Sequence, residues 1–390
     1  MKVAHQVRAF QQILNSYNGA LPLHRFLFSY FKQNKQMGSS DRRWATRYIY
    51  SFFRLGKALK NADEITRLAV SDFLCNQSSS LVIEHYLPDM KDQLVLPLEK
   101  KVLLIRQRYP EFSVEEVFGF SESLSEGINV RNFWLSSFIQ PDLFLRVSAD
   151  HQQKIASKLA EQDIEAKLLG MTTIALPNGT KLEQVLARQG NYQVQDLSSQ
   201  KTGNYFKPMP WDYWWDCCAA SGGKSLLLYD LEPSIQLMVS DVRESSLNNL
   251  DDRFQEAGLK KYQKKVLDLI QNNDPDLHHY EFDGIILDAP CSGSGTWSRT
   301  PEMLSYFDHH KIAYFSKLQK TIAGNVIKYL KKGKPLIYIT CSVFKEENED
   351  VVNWMLENLA LKLEKMEIIS GYTEKADTMF VARLIKQTAG

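Results

Sequence analysis

None of the five cysteines, Cys75, Cys217, Cys218, Cys291 and Cys341, stands in a CxxC pair, which argues against a structural zinc site, and no metal is expected. The count is odd, and the first residues, MKVAHQVRAFQQILNS, lack the apolar core of a signal peptide. Together these speak against a disulfide framework. No apolar run approaches the roughly 20 residues a membrane helix needs, so a cytoplasmic protein with no membrane partner is the expectation. The fingerprint GxGxxG is missing too, which removes a nicotinamide-dinucleotide fold. A P-loop requires a glycine five residues before Gly223, and that position is Cys218; an NTPase is left as a formal alternative only. Acidic residues are nearly absent from residues 1–60, where five Lys and six Arg face Asp41 alone, a net +10. The remaining 330 residues therefore carry −9, since the whole chain sums to +1. A basic end of this kind suits a polyanion, nucleic acid first, with a solvated helical surface as the plain alternative.

What is present falls into three textures. Residues 1–130 read as helices, because VRAFQQIL, LHRFLFSYFKQ and DRRWATRYIYSFFRLGKAL carry apolar residues at three- and four-residue spacing. Ser39, Ser40 or Asp41 can cap the third of these. Trp44, Tyr48, Tyr50 and Phe52 lie at helical spacing and are expected in a bundle core. Residues 131–202 read as a small α+β unit, with a strand over 142–148 and a helix in DHQQKIASKLAEQDI. Over 203–390, the runs YWWDCCA, IQLMVSD, KKVLDL, FDGIILDAP and KPLIYITC alternate with helical patterns. That alternation predicts an α/β domain with a doubly wound parallel sheet, whose ligand crevice lies at the carboxyl ends of the strands. Asp216, Asp241, Asp288 and Cys341 all fall near such ends.

The segment DCCAASGGKS (216–225) follows the first of these strands and opens a helix. Its backbone from Cys217 through Cys218, Ala219, Ala220, Ser221 and Gly222 to Gly223 can approach a ligand closely, and helix-start amides favour a carboxylate or phosphate. Asp241, ending the second strand, can accept both ribose hydroxyls of a nucleoside, and Asp268, after the third, can meet an adenine. S-adenosylmethionine needs the same ribose contact. Cys291 follows DAP and Cys341 follows YIT on the next strand. A single such cysteine is ordinarily a small buried apolar residue, but two at matching strand ends fit that reading poorly. Methylation of a pyrimidine at ring carbon 5 gives a reason for two thiols. A thiolate adding to carbon 6 makes carbon 5 nucleophilic, and a second acid/base group helps the adduct break down. Asp288 can offset charge on the ring, and Lys224 can lower a thiol pKa or position the base.

Taken together, DCCAASGGK, DAPCSGSG and YITCS followed by EEN resemble the motifs of the RsmB/NSUN family of RNA 5-methylcytosine methyltransferases. YQVQDLSSQKTGNYF, FLRVSAD and MFVARLIK are similar to further segments of that family, so the likeness runs from about residue 130 to the end. The resemblance implies a Rossmann-like, seven-stranded class I methyltransferase domain with an antiparallel final strand and S-adenosylmethionine as cofactor. It implies Cys341 as nucleophile and Cys291 as the residue that assists release, with Asp288 and Lys224 beside them. It further implies cofactor contacts from 217–223, Lys224, Asp241, Asp268 and Asp288, and RNA contacts from Arg146 and Arg299. The helices resemble a NusB-like RNA-binding domain. The implied substrate is RNA, ribosomal before transfer RNA, and the simplest assembly is a monomer; a non-catalytic RNA-binding protein with the same fold is the rival. The sequence departs from the family pattern at Ser221, where proline is usual and whose loss should loosen the loop, and at Ser148 and Ser298.

Overall fold

A computed structural model describes residues 2–119, 123–186 and 191–387. Its contacts group into two units: residues 1–124, 129–140 and 296–309 form one, and 125–128, 141–295 and 310–390 the other. The sequence suggests divisions at 130 and 202. The structure instead gathers the small α+β part with the large sheet and lends a stretch of the C-terminal half to the helices.

The helical unit is built on Lys2–Ser16, Leu23–Gln33, Ser39–Arg54, Glu64–Cys75 and Leu98–Arg108. Ser39–Arg54 buries Ala45, Tyr48, Ile49, Phe52 and Phe53, a stripe one helical face wide, while Trp44 and Tyr50 are half-buried at its margin. Of the three capping candidates, Asp41 is the one engaged: its carboxylate accepts the amide of Gly38 at 3.3 Å. At the other end, Arg54 is fully buried and satisfied by carbonyls from distant segments. It donates to the backbone oxygens of Ser137 (2.8 Å), Ile139 (3.0 Å) and Ser298 (2.7 Å). Glu302 accepts the Leu23 amide at 2.9 Å, and the Tyr306 hydroxyl donates to the Tyr17 carbonyl at 3.1 Å. These bonds are why 129–140 and 296–309 belong with the helices. They also take Arg54 out of the basic surface, as the ion pair with Asp72 does in part for Arg47.

In the second unit a small antiparallel sheet has the order β2-β3-β1-β4, from β1 (Leu143–Val147), β2 (Lys167–Leu169), β3 (Thr173–Leu176) and β4 (Tyr192–Val194). Helix Ala149–Ala160 covers it through Ile155 and Leu159, which pack on Leu145, Val147, Ile174 and Leu176. The large sheet comprises β5 (Tyr213–Asp216), β6 (Gln236–Asp241), β7 (Gln263–Val266), β8 (Gly284–Asp288), β9 (Pro335–Thr340), β10 (Leu361–Ile369) and β11 (Met379–Lys386). Their order is β10-β11-β9-β8-β5-β6-β7. The five strands β5 to β9 are parallel, and β11 enters antiparallel between β9 and β10. Because side chains alternate along a strand, Trp214 and Trp215 serve opposite faces. Trp214 joins the core under helices Gly223–Leu231 and Glu244–Glu256, and Trp215 the core under His310–Val326 and Glu349–Asn358. A Cβ on Gly284 would stand 2.5 Å from the Trp214 ring, so this strand opens with glycine. The strand order reverses around β5, between β6 and β8, which sets the crevice at the carboxyl ends of those strands. Among the described residues no helix is long and apolar enough to cross a membrane.

Candidate active site

β5 ends at Asp216 and the chain turns through 217–222 into helix Gly223–Leu231. Two residues of the turn are left-handed, Ala220 (φ 46°) and Gly222 (φ 79°). Glycine is required at the second on steric grounds as well, since a Cβ there would lie 2.4 Å from the Phe254 ring. The turn is tied to β6 at two points: the Ala219 amide donates to the Ser240 carbonyl (2.9 Å), and the Ala220 amide to Asp241 (3.0 Å). Asp241 also accepts the Arg243 amide at 2.9 Å. Asp268 lies just past β7, exposed, with its carboxylate accepting the Ile270 amide at 3.2 Å. The adjacency of β7 and β6 thus brings it to the same sheet edge as Asp241.

Ser221, expected to loosen this turn, is held instead. The Arg253 guanidinium donates to its carbonyl and its hydroxyl, each at 3.0 Å, and to Gln193 of β4 at 3.0 Å. On the other side Gln195 donates to the Gly223 carbonyl at 3.2 Å and accepts from Arg146 Nε at 2.7 Å. Arg146 is buried, also paired with Asp230, and burial pulls its guanidinium down to about 10, with Arg253 adding to the effect. Its bonds therefore run toward the loop and its support. Arg299 belongs to the helical unit, half-buried near Arg54.

Asp216 is wholly buried. One oxygen accepts the Ser225 hydroxyl at 2.6 Å, and the other has no partner among the described residues. Burial, reinforced by the charges of Asp288 and Asp241, pushes it up to about 7 against the opposing Ser225 bond and Lys224. An unsatisfied acceptor buried beneath a loop of backbone amides fits the amino-acid end of S-adenosylmethionine, which brings an ammonium and a carboxylate together. Lys224 Nζ stands 2.9 Å from Asp288 Oδ2. Burial works to lower the Lys224 pKa, but Asp288, helped by Cys341 and Asp216, outweighs it and leaves the ammonium above the ordinary lysine range.

β8 and β9 are adjacent, so the loops that leave them run side by side. The Cys291 and Cys341 sulfurs are 3.3 Å apart. The hydrogen bond with Cys341 is the chief reason the Cys291 thiol is pushed well above its ordinary value, followed by burial and the charges of Cys341 and Glu347. Each cysteine is followed by a serine, and the hydroxyls of Ser292, Ser294 and Ser342 form a buried triangle with edges of 3.1, 3.2 and 3.2 Å. Glu347 closes this cluster, accepting the Ser292 amide (2.8 Å), the Ser342 hydroxyl (2.9 Å) and the Gln319 amide group (3.1 Å). Gly295 allows the first loop to approach closely: its amide donates to the Cys341 carbonyl at 2.8 Å, and a Cβ would fall 2.0 Å from the Thr378 oxygen. The sequence reading assigned no part to Glu347, Gln319, Arg253 or Gln195. The repeated CS dipeptide and the EEN that follows were the available signal for the first of these.

The 16S rRNA methyltransferase RsmB/F family matches residues 204–388, the segment that carries both cysteine loops and the glycine turn. Residues 204–388 are thus similar to the RsmB/F methyltransferase family. Among its relatives is the ribosomal RNA small subunit methyltransferase B of Enterobacter sp. (strain 638), 31% identical over 265 residues, which are 64% of this chain and 60% of that one. The protein of that name from Shewanella oneidensis is 32% identical over 212 residues, 51% of this chain and 49% of its own length. The chain thus spans between about half and three fifths of the relatives it matches. Among solved structures, the crystal structure of PH0851 has a TM-score of 0.71 at 22% identity and covers 97% of both chains. NSun6 from Pyrococcus horikoshii with SFG has a TM-score of 0.58 at 18% identity, covering 64% of this chain and 92% of that one. Both are likenesses of fold, the first over nearly the whole chain and the second over about two thirds of it.

Proposed function

We propose that this protein methylates carbon 5 of a cytosine in RNA, ribosomal RNA of the small subunit first, with S-adenosylmethionine as methyl donor. The reading is carried by one observation, two thiols 3.3 Å apart at neighbouring strand ends, with Lys224 and Asp288 paired at the same end of the sheet. The relatives' names supply the RNA class, and the RsmB/F match with an analogue-bound neighbour supports the donor. The amides of 217–223 and Asp216 would hold the donor's amino-acid end, Asp241 its ribose and Asp268 its adenine. When bound, the donor supplies an electrophilic methyl group on a sulfonium.

The chain's own groups divide the remaining chemistry. In this mechanism Cys291, whose thiol is pushed up, is the donor in the contact between the two sulfurs, and Cys341 is the nucleophile. Its sulfur adds to cytosine carbon 6, and the ring electrons make carbon 5 nucleophilic. In the Lys224–Asp288 pair the carboxylate can accept from the exocyclic amine of the cytosine, and the ammonium offsets the negative charge that develops on the ring. Once the Cys341 sulfur is bonded to carbon 6 its charge is gone, and with it the chief cause of the raised Cys291 pKa. Cys291 can then give its proton to water and take the proton from methylated carbon 5. The electron pair of the breaking carbon–sulfur bond returns to Cys341 as thiolate. The helical unit, basic and NusB-like in sequence, is read as the RNA-binding part, and a cytoplasmic site of action goes with a ribosomal substrate.

The test uses the two single variants. Cys341→Ala should abolish both methyl transfer and covalent adduct, whereas Cys291→Ala should accumulate a protein–RNA complex that survives denaturing electrophoresis. Full turnover by Cys341→Ala would refute the assignment, and bisulfite sequencing of total RNA from a deletion strain would name the cytosine.

A further inference from the structure

The mechanism above makes no use of Glu347, although this carboxylate is wholly buried between the two cysteine loops. One oxygen accepts the amide of Ser292, directly after Cys291, at 2.8 Å, and the other accepts the hydroxyl of Ser342, directly after Cys341, at 2.9 Å. Gln319, from helix His310–Val326, donates to the first oxygen at 3.1 Å and to the Pro290 carbonyl, directly before Cys291, at 2.9 Å. A buried carboxylate without a cation beside it is costly. Its three bonds each go to one of the loops or to the helix that anchors them. A carboxylate bridging two loops fixes their separation in a way that two apolar residues could not.

We propose that Glu347 is a positioning residue for the thiol pair: it holds the Cys291 and Cys341 loops at the separation on which adduct formation and release depend. The inference rests on the methyl-transfer reading and concerns the same site. Glu347 touches neither sulfur directly and acts through the residues that follow each cysteine. Its bonds do not reach the 217–223 turn, so donor binding should be spared when it is changed.

Steady-state methylation by the full chain, with methyl-donor concentration varied, tests this in three variants. Displacing a reacting group by an ångström costs on the order of a hundredfold, so Glu347→Ala should lose at least about tenfold in kcat while KM for the donor stays within about twofold. Glu347→Gln should restore kcat to within about threefold of the parent. Its amide oxygen can accept from Ser292 and Gln319, and its NH2 can donate to the Ser342 oxygen. If Glu347→Ala fails to fold, Ser342→Ala, which removes one strut, should show a smaller loss of kcat with the same unchanged KM. Unchanged kcat in Glu347→Ala overturns the proposal, as does a loss that falls on donor KM, or a Gln variant as impaired as the Ala variant. A parent chain that transfers no methyl group would instead refute the functional reading, so the two failures are distinguishable.

Discussion

Removing the Cys341 sulfur should make Cys291 more reactive, although the substitution leaves Cys291 itself unchanged. The hydrogen bond with Cys341 is foremost among the causes that hold the Cys291 thiol up, with burial second and the charge of Cys341 third; burial and Glu347 would persist in Cys341→Ala. Two unit charges at the observed 3.3 Å interact by about 5 kcal/mol at an effective dielectric of 20. The site is partly open, and solvent screening reduces that to roughly 1–3 kcal/mol. The sign follows: a raised thiol pKa means less thiolate at a given pH, and removing the cause lowers the pKa and raises the thiolate fraction. At pH 8, alkylation of Cys291 by iodoacetamide should accelerate about tenfold or more in Cys341→Ala. The rate is read from the mass of the Cys291 peptide, and the midpoint of its pH profile should move down. An unchanged or slower rate would refute the coupling, and with it the argument that adduct formation releases Cys291 to act as base.

Two further predictions concern the donor side. Arg253→Ala removes three hydrogen bonds of about 3.0 Å from the glycine turn and β4; at a net ~0.5–1 kcal/mol each for a partly exposed group, donor affinity should fall roughly 10- to 150-fold. Titration calorimetry with S-adenosylhomocysteine measures it, and parent-like affinity would show that Ser221 needs no tether. Asp216 is raised to about 7 by burial, so the folded state binds a proton that the unfolded chain has already released near pH 4. Stability should therefore fall as pH rises from about 4 to 7, by at most roughly 4 kcal/mol from this group. In urea titrations at pH 5 and 7.5, Asp216→Asn should lose this part of the pH dependence and become the more stable form at the higher pH.

The parts of the fold legible in the sequence are those where local pattern and tertiary role coincide. Strands β5, β6, β8 and β9 are buried on both faces, so each reads as a short apolar run ended by a polar residue. Their parallel order then puts Asp216, Asp241, Asp288 and Cys341 at one edge without further information. β10 was less visible because it lies at the edge of the sheet and buries only its first and last residues. The limits of the units were hidden for another reason. Arg54 bonds a carbonyl 244 positions away, and nothing in a helical repeat ending in arginine separates a buried anchor from an RNA contact. The same applies to Arg146, whose neighbours Gln195 and Asp230 come from elements that only the folded sheet brings to it.

Ser221 shows how a departure from a family pattern can mislead when read one residue at a time. Proline would stiffen the turn through its own ring, so serine alone suggests slack. In the fold the serine adds a hydroxyl acceptor beside the backbone carbonyl, and Arg253 donates to both. Rigidity is thus supplied from helix Glu244–Glu256, not from the turn's own covalent geometry. The same substitution of long-range for local restraint operates at the thiols. Neither cysteine loop is regular structure at the sulfur itself, and each takes its position from serines, a glycine contact and one buried carboxylate. In the proposed mechanism the two sulfurs have to be close enough to share a proton, yet separate enough for one to bond to a base, and that needs a spacing set by groups outside the pair. On that mechanism the sensitivity of catalysis should fall on residues such as Glu347, which bonds both loops and neither sulfur.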